Sequence, residues 1–162
     1  LLESLLETLT LLRERKRRFD RQLHRIEREN ATCRQLMGAP GVGPLTAVAF
    51  ASAIEDPSRF RRASDVGAYL GLTPTRYQSG EVNIGGRISK CGDRLTRRLL
   101  FEAATVILYR TGGALGLRTW AERLVARSGS WKARVALARK LATILFRMMR
   151  DGTAFENRPY PA

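Results

Sequence analysis

The strongest constraint on the fold is a heptad seam at the start of the chain. Leu2, Leu5, Leu9, Leu12, Lys16, Phe19, Leu23, Ile26, Asn30, Cys33 and Met37 recur at alternating spacings of three and four, and nine of these eleven are apolar. That pattern puts one narrow stripe along a single long helix over residues 1–37, the signature of a coiled-coil stem. Asn30 lies on the stripe, where a buried amide fixes register and partner number. The alternative is a helix packed on its own domain, but one this long rarely finds enough surface in a body of 162 residues, so the stripe favours a partner helix and a homo-oligomer. The chain opens on Leu1, inside the apolar pattern, which suggests a piece of a longer protein.

After the stem, Gly38, Pro40, Gly41, Gly43 and Pro44 break the helix. Apolar residues run from Leu45 to Ile54, and Ser58 reads as the N-cap of a helix through Leu70. Residues 71–92 are glycine-punctuated and irregular, with Tyr77, Val82 and Ile88 permitting a short β-hairpin. Asp93 then caps a helix to about Tyr109. Further helices are predicted over 114–127 and 131–150, the last burying Val135, Ala138, Leu141, Ala142 and Leu145. The expected fold is all-α: a stem (1–37), a helical domain with an irregular loop (38–150) and an irregular tail (151–162).

Charge restricts the partner. Lys and Arg number 29 against 15 Asp and Glu, a net charge of +14. Such an imbalance repels the fold against itself and attracts polyanions, nucleic acid first. The excess sits late in the chain, with nine basic and three acidic residues over 59–98 and eleven and four over 99–162. No apolar run approaches a membrane span, and no signal peptide is visible. Two cysteines and one histidine cannot form a disulfide framework or a zinc site of Cys and His. Cys33 and Cys91 read as packing residues in a reducing cytoplasm.

Two segments can carry chemistry. Pro40-Gly41-Val42-Gly43-Pro44-Leu45-Thr46-Ala47 resembles a helix-hairpin-helix: glycines admit a phosphate close to the backbone, and free N–H groups at a helix start receive it. Gly41, Gly43 and Thr46 are the candidate contacts; a tight helix corner, with the glycines serving packing only, is the alternative. In the second segment Ser79 lies beside Gly80, with Arg76, Tyr77, Arg87, Lys90, Arg94, Arg97 and Arg98 on either side. A hydroxyl attacking phosphorus among cations suits phosphoryl transfer, although a serine beside glycine is also an ordinary turn residue.

Taken together and in order, PGVGPLTA (40–47), the F-R-x-A-x-x-x-x-A-Y-L-G-L-T-P stretch (60–74), RYQSG (76–80) and GRISKCGDRLTRRLLFEAA (86–104) resemble a known family. It is the C-terminal transposase domain of bacterial insertion-sequence recombinases that carry an N-terminal RuvC-like domain with a DEDD acidic set and use a bridge RNA to choose DNA. The resemblance implies that Ser79 is the nucleophile, in a Tyr-x-Ser-Gly context, and joins covalently to the cleaved strand. Ser89, in Arg-Ile-Ser-Lys, is its rival. It also implies DNA and a guide RNA as partners, a bacterial nucleoid-associated location, and Mg²⁺ held by the acidic domain, which is missing here. The chain itself offers no metal-ligand pattern, so alone it is expected to bind nucleic acid without recombining it. Two other readings are a non-catalytic nucleic-acid-binding and dimerisation module, and a coiled-coil scaffold, which leaves the late positive charge without purpose.

Overall fold

The computed structural model describes residues 1–79, 82–110 and 115–160, with the side chains of all but 76–79, 82–85 and 115. The fold is all-α, with one small hairpin. Helix α1 spans Leu2–Glu29 and buries no residue. The predicted single helix to residue 37 is interrupted at Asn30, whose backbone is extended (φ −108°, ψ 109°). Its side-chain oxygen accepts from the Cys33 N–H at 3.0 Å and so caps a separate helix, α2 (Ala31–Met37). Asparagine competes with the helix for backbone hydrogen bonds, and at Asn30 the cap wins. The amide therefore lies at a corner, not on a coiled-coil seam. Beyond the corner Cys33 and Leu36 are buried in the domain core, and burial raises the Cys33 thiol pKa.

Helix α3 (Pro44–Ile54) starts with Pro44, whose missing N–H costs nothing at the first helical position. Its Ala47, Phe50 and Ile54 are fully buried. The helix expected from Ser58 to Leu70 is not formed. Asp56 caps instead, accepting from the Ser58 N–H at 2.8 Å and starting a 3₁₀ turn, Pro57–Arg59. Phe60 follows in extended backbone and sets its ring edge-on to Tyr69 and Phe146, at 5.2 and 5.5 Å. Only Asp65–Tyr69 is helical, as α4.

Strands β1 (Pro74–Ser79) and β2 (Val82–Ile88) pair antiparallel, from Pro74 opposite Ile88 to Ser79 opposite Val82. The register shifts between Pro74 and Arg76, so Gly86 and Arg87 face the single residue Thr75 in a bulge. Helices α5 (Arg94–Tyr109), α6 (Leu115–Ser128) and α7 (Ser130–Asp151) follow, close to the predicted spans. Helix α7 is the spine: Leu137, Ala138, Leu141, Ala142, Leu145 and Phe146 are fully buried against the other helices. The segment after α7 is irregular but packed. Tyr160 is buried, the Gly116 N–H donates to Asn157 Oδ1 at 3.2 Å, and Arg123 donates to the Tyr160 carbonyl at 2.8 Å. Among the described residues, no helix is long and apolar enough to cross a membrane.

Candidate catalytic hairpin and basic face

The hairpin stands on a base locked by backbone contacts. The Ser89 N–H donates to the Thr73 carbonyl at 2.9 Å, and the Lys90 N–H to the Gly71 carbonyl at 3.1 Å. Gly71 and Gly92 both take left-handed backbone, φ +67° and +72°. A Cβ on Gly71 would lie 2.5 Å from the Cys91 nitrogen, and one on Gly92 would overlap the Tyr69 carbonyl oxygen. The 69–72 and 89–92 segments thus meet backbone to backbone, which only glycine allows. Arg97 ties them together, one guanidinium nitrogen donating to the Leu70 carbonyl at 3.1 Å and to the Cys91 carbonyl at 2.8 Å.

The expected site residues separate on this frame. Ser79 ends β1 at the hairpin's far end, opposite Val82. The side chains of Arg76, Tyr77 and Ser79 lie outside the described residues. At about 3.3 Å per residue, five steps from Pro74 put Ser79 roughly 16 Å from the base. Arg87, Lys90 and Arg94 are exposed and belong to the base, with no carboxylate partner among the described residues. Arg97 is half-buried and engaged with carbonyls. Arg98 is exposed and pairs with Glu102 at 2.8 Å. Ser89 also sits at the base, half-buried, its hydroxyl facing the Cys91 N–H at 3.5 Å. The sequence thus placed the cations around the serine, and the fold places most of them at the hairpin's foot.

The Gly-x-Gly turn is likewise divided. Gly41, at φ +74°, faces helix α5, where an added Cβ would lie 2.7 Å from the Ala103 carbonyl oxygen and 3.2 Å from Ile107. Its lack of a side chain is explained by packing. Gly43, the N-cap of α3, has open space around it, while Thr46 is buried. Of the three candidates, only Gly43 has open space where a side chain would project.

Asp93 completes the base. It accepts from the Thr96 N–H at 2.5 Å as N-cap of α5. That bond, with the Arg97 charge as a lesser cause, holds its carboxyl below the usual carboxylate range. Among the described residues no three His, Cys, Asp or Glu side chains gather as a metal site. The clamp role of Arg97 was missed from sequence, although glycines bracketing both ends of the loop signalled a close backbone crossing that needs a donor.

Comparison with known proteins identifies the family. Residues 33–118, from α2 through the hairpin and α5 into α6, match the model of the transposase IS116/IS110/IS902 family. A probable family 20 transposase of Pseudomonas aeruginosa is 32% identical over 156 residues, covering 96% of this chain and 46% of that protein. The transposase for insertion sequence element IS1111A of Coxiella burnetii is 30% identical over 132 residues, 81% of this chain and 36% of its own length. A pilin gene-inverting protein of Moraxella bovis is 30% identical over 122 residues, 74% of this chain and 37% of its own. The chain spans less than half the length of these relatives. With the matched segment containing the turn, the hairpin and its base in one stretch, the chain belongs to the transposase IS116/IS110/IS902 family.

Proposed function

We propose that this chain is the DNA-joining part of a transposase that cleaves and rejoins strands through a phosphoserine at Ser79. The supporting observation is the hairpin, whose first strand ends at Ser79 and whose foot is fixed by Gly71, Gly92 and Arg97. A non-catalytic turn serine gives no reason for so rigid a mounting. The serine oxygen bonds to phosphorus, the bond from phosphorus to one sugar oxygen breaks, and the serine proton ends on that departing oxygen. Attack by the sugar hydroxyl of a second strand reverses the process, frees Ser79 and leaves no net hydrolysis. Lys90, Arg94 and Arg87 hold phosphates flanking the scissile one. A guide RNA selects the DNA. A second copy joins through α1, where Leu2, Leu5, Leu9, Leu12, Phe19 and Ile26 are exposed on a helix that buries no residue of its own and meets the domain at α3 and α2.

Covalent trapping tests this reading. The chain is combined with the acidic domain, guide RNA, Mg²⁺ and nicked DNA, and any DNA-linked peptide is mapped by mass spectrometry. The expected adduct is on Ser79 and disappears in Ser79→Ala. An adduct on Ser89 moves the nucleophile. No adduct, with salt-sensitive DNA binding intact, favours the non-catalytic binding and dimerisation module.

A further inference from the structure

The described surface carries a second organised feature, on helices α5 and α7 away from the hairpin. Trp131 is 70% exposed, which is costly for the largest apolar side chain. Its ring runs nearly parallel to Phe101, at an interplanar angle of 16° and a centroid distance of 5.8 Å. The Arg134 guanidinium lies 4.1 Å from the Trp131 ring centroid and 5.0 Å from that of Phe101. Its Nε donates to the Ser130 carbonyl at 3.4 Å. Tyr109, also exposed, reaches Ser130 through its hydroxyl at 3.1 Å. Phe101, Thr105, Tyr109, Arg110 and Arg134 line one open groove.

The geometry points to a stacking platform for an unpaired base of single-stranded DNA, with Trp131 as the stacking face. An indole backed by a guanidinium is held flat and polarised from beneath, and its exposed area accepts any planar base. The surroundings favour nucleic acid over a protein partner. Arg127 and Lys132 are exposed close to Trp131 along the chain and the exposed Arg110 lines the groove, whereas protein interface cores are depleted of charge. The one carboxylate lining the groove, Glu102, is paired with Arg98.

The platform is also in line with the hairpin foot. Arg94, Arg98, Phe101, Thr105 and Tyr109 follow one another at spacings of three and four, so they form one stripe of α5. Seven residues from Arg94 to Phe101 make two turns, about 10 Å. A strand whose phosphates rest on Arg94 can therefore place a base on Trp131 a few nucleotides away. This site takes its ligand class from the DNA-joining reading but does not depend on Ser79 being the nucleophile.

The test is fluorescence anisotropy of the chain with labelled oligodeoxythymidine and with an abasic strand of equal length and charge. Trp131→Ala is expected to weaken oligodeoxythymidine binding by about 10- to 100-fold, the usual range for one stacked base. Trp131→Phe should stay near wild type, and abasic binding should not change. Because Trp131 is mostly exposed, the alanine variant should keep a cooperative urea transition, its midpoint lowered only by the lost Phe101 and Arg134 contacts. Equal loss on both strands, or no loss on either, would overturn the platform while leaving DNA binding standing. So would a Trp131 dependence seen only with oligouridine, or one seen only in self-association. Failure of the wild-type chain to bind either strand would defeat the DNA-joining reading and the platform together.

Discussion

Replacing Arg97 distinguishes a structural cation from a DNA contact. In Arg97→Ala, the Leu70 and Cys91 carbonyls lose a charged donor at 3.1 and 2.8 Å. Hydrogen bonds to charged groups contribute about 1.5–3 kcal/mol each. Arg97 is only half-buried, so water replaces part of that, and about 2 kcal/mol in total is expected. Because Arg97 fastens the base of the hairpin and not the core, the loss should appear first as local opening. Hydrogen exchange reads it directly. The Ser89 and Lys90 amides, bonded to Thr73 and Gly71, should lose about 30-fold in protection, since each 1.4 kcal/mol is tenfold. Salt titration of DNA binding supplies the contrast. Each phosphate contact adds about 0.9 to the slope of log affinity against log salt. Arg97→Ala should keep that slope, whereas Arg94→Ala should lower it by about 0.9 and leave Ser89 and Lys90 protected. A drop in slope for Arg97→Ala with protection unchanged would refute the clamp and restore Arg97 as a phosphate ligand.

Three other outcomes follow from the same geometry. Gly92→Ala should lower the urea midpoint far more than Gly152→Ala: both lose about 1–2 kcal/mol to left-handed backbone, but only at Gly92 does the new Cβ strike backbone, the Tyr69 carbonyl. Asp93 has a folded pKa below its unfolded one, so its contribution is full above pH ~4 and is lost as pH falls through the folded value. Asp93→Asn keeps a capping oxygen, and its stability should therefore fall less steeply than wild type in acid titrations followed by circular dichroism. Leu5→Glu with Leu12→Glu should abolish self-association in sedimentation while leaving the thermal midpoint of the domain within about 2 °C, because α1 buries nothing in the domain.

The parts of this fold legible from sequence are those where local and tertiary preferences agree. Asp93 before a periodic run gives the start of α5, and the apolar face of α7 gives the core spine. Asn30 shows the opposite case. Its seam position and its capping chemistry were both readable, but the choice depended on whether Cys33 and Leu36 had a core to enter. Ser58 was overridden by Asp56, two residues earlier and the stronger acceptor beside Pro57. At the candidate site, the serine and the cations were legible as types. Their separation was not, because spacing along a chain does not tell a loop folded around a residue from a hairpin that carries it away.

That separation decides what the basic residues can do. Two unit charges interact by about 1 kcal/mol at 4 Å in water and by about 0.3 kcal/mol at 16 Å. The larger distance is also about two Debye lengths at physiological salt, which leaves less than about 0.1 kcal/mol. Cations at the hairpin's foot therefore cannot stabilise charge developing at a phosphate held by Ser79. They can grip the strand elsewhere: at 3.4 Å per nucleotide along one strand, 16 Å is about five steps, so on the proposed reading Lys90 and Arg94 would meet phosphates about five nucleotides from the reacting one. Such contacts are equal in ground and transition states. Lys90→Ala and Arg94→Ala should accordingly raise the DNA concentration needed for half-maximal adduct formation, with the rate at saturation within about twofold of wild type. A saturating rate reduced a hundredfold with unchanged affinity would mean that the hairpin folds over its own base when DNA binds, bringing the cations to the serine.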